Sequence, residues 1–87
     1  MCTMLTMQTT LAGCGKGAQG WFDLGGANVS YDHPFDAPYE HALNIDFVNE
    51  SQGVGARVAV ELSEQAARDL VKTILEVLDQ AESGGHL

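Results

Sequence analysis

Hydrophobic and polar positions alternate with a period of two along several stretches of this chain. From Thr3 to Leu11, Leu5, Met7, Thr9 and Leu11 oppose Met4, Thr6, Gln8 and Thr10. Ala27, Val29, Tyr31 and His33 alternate with Asn28, Ser30 and Asp32, and His41, Leu43, Ile45 and Phe47 with Asn44 and Asp46. From Arg57 to Leu62, Val58, Val60 and Leu62 face one way, Arg57 and Glu61 the other. Such alternation marks half-buried strands. After Ser63 the period changes: Ala67, Leu70, Val71, Ile74, Val77, Leu78 and Ala81 recur at three and four. That spacing predicts an amphipathic helix through about Ala81. Ser63 is a favourable N-cap, and Glu64 complements the helix dipole in the first turn.

The intervening stretches are breakers. Gly13, Gly15, Gly17 and Gly20 make Ala12 to Gly20 a predicted glycine-rich loop. Trp21 to Leu24 is short enough to be either a strand or a plug over the core. Pro34 and Pro38 demand a turn between the two central strands, and Ser51 to Gly55 is a second turn. The expected fold is α+β: a small antiparallel sheet of about four strands, with one C-terminal amphipathic helix packed on one face. A single domain spans residues 1–82, followed by a flexible tail at 83–87. The opposite sheet face would carry Asn28, Ser30, Asp32, Asn44, Asp46, Arg57 and Glu61, polar enough for water or a polar subunit interface.

The turn between the central strands concentrates the candidate chemistry. His33 and His41 flank it, and in an antiparallel hairpin both fall on the apolar face by parity. Cross-strand neighbours lie about 5 Å apart at Cβ, close enough for two imidazoles to share one ion. In a simple meander the helix N-terminus lies at the same end. A first strand antiparallel to Ala27–His33 would bring Cys2 there as well. The candidate metal ligands are therefore His33, His41 and Cys2, with Glu40 as an alternative third ligand and the nearest candidate catalytic acid or base. Two His and a carboxylate is a non-haem iron composition, and His2Cys suits copper or zinc. A transition metal ion (iron, zinc or copper) is the expected cofactor, and Asp32 and Asp36 are available beside it. Trp21, Phe22, Tyr31, Phe35 and Tyr39 could line a neighbouring pocket for a small apolar or aromatic ligand. The alternative for each residue is structural: the histidines as hairpin caps, the aromatics as core.

Charge and composition narrow the classes. Twelve acidic against four basic residues give a net charge of −8, which repels phosphate backbones and disfavours nucleic acid. No basic amphipathic stretch points to a membrane surface, and no apolar run reaches the ~18 residues of a membrane span. Met1 to Leu11 lacks the basic start of a signal peptide, so a cytoplasmic protein is expected. There, Cys2 and Cys14 would stay reduced. At 87 residues the chain buries only about 60–65% of its unfolded surface, so a metal or a homo-oligomeric partner is expected to add stability. Gly15 to Gly20 matches G-x-G-x-x-G, but no helix follows, so a dinucleotide site is not expected.

One further signal is a resemblance. Met1-Cys-Thr3, Gly15-Lys-Gly17, Gly20-Trp-Phe-Asp-Leu24, Asn28-Val29 and Tyr31-Asp-His-Pro-Phe35 resemble a family of small bacterial proteins of unknown function. Ala37-Pro38, Glu40-His-Ala-Leu-Asn-Ile-Asp-Phe-Val-Asn-Glu50 and Gly55-Ala-Arg-Val-Ala-Val-Glu-Leu62 extend it over nearly the whole chain. Some members bear a label relating them to ring-cleaving dioxygenases of biphenyl degradation. The matched residues include Cys2, His33, Glu40 and His41, so the resemblance points to the same rim. The expected function is a small metal-binding protein with a His33/His41 site, whether or not it is an enzyme. The alternatives are a metal-free small-molecule pocket using the histidines, and an oligomeric structural or partner-binding module.

Overall fold

The computed structural model describes residues 5–87. Its elements are β1 (Leu5–Thr10), β2 (Cys14–Gly17), β3 (Gly20–Asp23), β4 (Gly26–Asp32), β5 (Ala42–Val48), β6 (Arg57–Leu62) and α1 (Glu64–Ser83), with a 3-10 turn at Glu50–Gln52. Strands β1, β4, β5 and β6 form an antiparallel sheet in that spatial order, and β2 pairs with β3 as a separate hairpin. The fold is α+β, as the alternation followed by a helical stripe predicts. The register is the one that parity requires: Met7 lies opposite Val29, Val29 opposite Ile45, and Ile45 opposite Val60. One sheet face is therefore apolar across all four strands. On the other, Asn28 faces Asp46 and Asn44 faces Glu61. The Arg57 guanidinium reaches the Asp46 carboxylate at 2.7 Å there.

The stretch expected to be a glycine loop contains strand β2. Its glycines serve close approach, not disorder. A Cβ on Gly17 would lie 3.1 and 3.2 Å from the carbonyl oxygens of Gly55 and Arg57, so a side chain there would press β2 back from the start of β6. Gly20 turns the hairpin with φ +110°, a conformation that residues with a side chain rarely adopt. Phe22 on β3 is buried against this corner, while neighbouring Trp21 is exposed. The hairpin is tied to the main sheet by Gly25 N–H to Val48 C=O (2.8 Å) and by the Asn49 amide to Asp23 C=O (2.8 Å). It thus closes the sheet end where β4 starts and β5 finishes.

Helix α1 starts at the opposite end. The Ser63 hydroxyl accepts from Ala66 N–H at 3.1 Å, satisfying one of the free N–H groups of the first turn. The helix continues past Ala81 to Ser83. There Gly85, at φ +77°, reverses the chain and lets His86 N–H reach Ala81 C=O at 2.8 Å, so the terminal segment is bonded back to the last turn. The helix packs mainly against β5 and β6, and every residue from Arg68 to Gln80 is exposed. Among the described residues the buried apolar side chains are Phe22, Ala27, Ala42 and Ala56, and no large side chain is fully buried.

Candidate functional site

The site is built from the ends of β4 and β5. Asp32 pairs with Ala42 as the last step of the ladder, and the next step outward brings His33 and His41 together. Their rings sit 4.7 Å apart between centroids, edge to face at 75°. His41 also stacks on Tyr31, 5.8 Å away and 17° from parallel. Tyr31 holds the central ring from the apolar face, and the ladder sets the spacing of the pair. Asp32 Oδ1 lies 3.7 Å from His33 Nδ1 and accepts from the His33 backbone N–H. Its carboxylate thus sits beside that imidazole, with its hydrogen bond made to the backbone.

The loop between the histidines is held by a residue that periodicity assigned only to the polar face. Glu61 on β6 accepts from the backbone N–H groups of Phe35, Asp36 and Ala37, the latter two at 2.9 Å. These bonds, from Ala37 first and then Phe35 and Asp36, hold its carboxyl below the ordinary carboxylate range. The loop therefore folds across β5 onto β6 and carries Phe35 outward, almost fully exposed. Polar-face alternation contained Glu61; nothing local in the sequence linked it to a loop 24 to 26 residues away.

Other predicted residues fall in different places. Glu40 is exposed, one residue before His41. Cys2 lies outside the described residues; β1 begins at Leu5 opposite Tyr31, at the histidine end. Among the described residues no group of three or more His, Cys, Asp or Glu side chains surrounds one point. Cys14 sits in the far hairpin, where its thiol donates to Asp23 Oδ1 at 3.4 Å. That bond and the carboxylate's charge raise its pKa.

A groove of about 650 Å³ opens between the apolar sheet face and α1, lined by Val29, Tyr31, Ile45, Phe47, Leu70 and Ile74 among others. Of Trp21, Phe22, Tyr31, Phe35 and Tyr39, Tyr31 alone lines it. Phe47 is the other aromatic residue there, and its place in the alternation was the signal that could have found it.

A family model, "Family of unknown function (DUF6295)", matches residues 1–87. The chain belongs to that family. The DUF6295 description assigns no activity, metal or ligand to its members. No curated protein matches the chain, and no solved structure matches it. No helix among the described residues is long and apolar enough to cross a membrane.

Proposed function

We propose that this DUF6295 protein is a small cytoplasmic metal-binding protein whose ion is held by His33 and His41, with Cys2 or Glu40 as third ligand. The observation that carries the reading is the separation of the two imidazoles. With metal–nitrogen bonds of 2.0–2.1 Å, two imidazoles on one tetrahedral or octahedral ion have ring centres about 4.5–5.3 Å apart, and this pair stands at 4.7 Å. Tyr31 stacked beneath His41 orients that ring before an ion arrives, which lowers the entropic cost of binding. Imidazole with thiolate favours zinc or copper; imidazole with carboxylate favours iron. If the site is catalytic, the ion supplies Lewis acidity or redox chemistry, and Glu40 is the adjacent proton carrier.

Elemental analysis of natively purified protein, with reconstitution by zinc, copper(II) and iron(II), tests the reading. One ion per chain or per dimer is expected, absent from His33→Ala/His41→Ala. Cys2→Ser and Glu40→Gln then assign the third ligand, as the one whose loss weakens binding about 10-fold or more. Failure of the wild type to retain any of the three metals overturns the site. The Tyr31–His41 stack at the mouth of the groove favours a second reading, a metal-free site for a small aromatic ligand. In that case chelators leave ligand binding unchanged while His41→Ala removes it.

A further inference from the structure

The apolar face of α1 is longer than the protein that it covers. Leu70, Val71, Ile74, Val77 and Leu78 are between 43% and 60% exposed, and on the sheet Leu5 and Met7 are exposed further still. Four strands spaced about 4.8 Å apart make a face nearly 20 Å wide, whereas one helix, about 10 Å across, covers half of it. That half is β5 and β6. The uncovered half is one helix wide.

The sequence of α1 identifies what fits there. Its apolar stripe reads Ala67, Leu70, Val71, Ile74, Val77, Leu78, Ala81. In residue type and spacing it is the same in both directions, with Ile74 at the centre. An antiparallel two-fold pairing about Ile74 places Leu70 level with the partner's Leu78, Val71 with the partner's Val77, and Ala67 with the partner's Ala81. A two-fold interface must be self-complementary, and this stripe is self-complementary residue by residue. We propose that the protein is a two-fold homodimer in which the α1 helices pack antiparallel about Ile74, each entering the groove between its partner's sheet and helix.

The area agrees. Half-exposing these aliphatic side chains leaves on the order of 300 Å² of apolar surface on the helix alone. With the open half of the sheet, the patch approaches the roughly 800 Å² per partner of a stable interface and exceeds what monomers commonly expose. The interface stands independently of what the histidine pair binds.

Sedimentation equilibrium of the full chain gives the first readout. A species of twice 9.3 kDa is expected at micromolar concentration, and a monomer throughout overturns the proposal. The second readout is the cross-link. In a C2S/C14S background, I74C places two thiols at the symmetry axis and is expected to give near-complete disulfide dimer under mild oxidation. K72C, on the opposite helix face, is expected to give little. A dimer that cross-links through M7C on β1 and not through I74C would overturn the helix pairing. So would a monomer whose groove takes up a hydrophobic dye. Retention of the wild-type mass by I74C under reducing conditions shows that the variant still assembles.

Discussion

Glu61 does the most at the scale of single residues, because one carboxylate fixes three consecutive backbone amides and so positions the loop that joins the histidines. Its lowered pKa makes the anchor pH-dependent, with a definite sign. Above the unfolded carboxylate pKa of about 4.3 the anchoring is fully present; it is lost as pH falls through the lower folded value. Amide exchange at Phe35, Asp36 and Ala37, corrected for intrinsic rates, is therefore expected to accelerate in an acid step below pH ~4. In Glu61→Gln the step disappears and exchange is already severalfold faster at neutral pH, since a neutral amide oxygen is a weaker acceptor. Identical protection profiles for the two proteins would show that the loop is held by something else. Asp32 likewise accepts from a backbone N–H, that of His33.

At the scale of elements, α1 depends on its start more than on its surface charges. Ser63→Ala is expected to cost about 1 kcal/mol in urea denaturation, the usual value of a lost N-cap, and Ser63→Asp to cost little. The Glu64–Arg68 ion pair at 2.9 Å is exposed, so Arg68→Ala is expected to cost at most about 0.5 kcal/mol through that pair. Equal effects of the two substitutions would deny the cap its role. The β2–β3 hairpin shows why element assignment from sequence stops at glycine-rich stretches. Periodicity is read from side chains, and Cys14 to Gly17 presents too few. The strand exists because its bare backbone fits against Gly55 and Arg57, a contact made by residues about 40 positions away.

For the whole molecule, the radius of gyration is 14.8 Å, against about 12 Å for a compact chain of this length. The chain is thus less compact than its length allows, and in the proposed dimer stability is a property of the pair. Thermal midpoint is therefore expected to rise with protein concentration, by mass action between folded dimer and unfolded monomer. Each copy carries a net charge of −8, so added salt is expected to screen the repulsion and tighten association. A midpoint unchanged over a hundredfold range of concentration would count against the dimer.

The period-two runs and the Ser63-led stripe determined by themselves the four strands of the main sheet, the helix and the α+β class. Alternation is local, and burying one face of a strand leaves parity no freedom. Parity also placed His33 and His41 on one face, while the register that pairs them, one step beyond Asp32 and Ala42, was decided by the ladder. The tertiary structure alone decided the second hairpin, the anchoring of the loop by Glu61, and the extent of sheet left uncovered by α1. Each depends on distances between residues far apart in the chain, which no local pattern of side chains encodes.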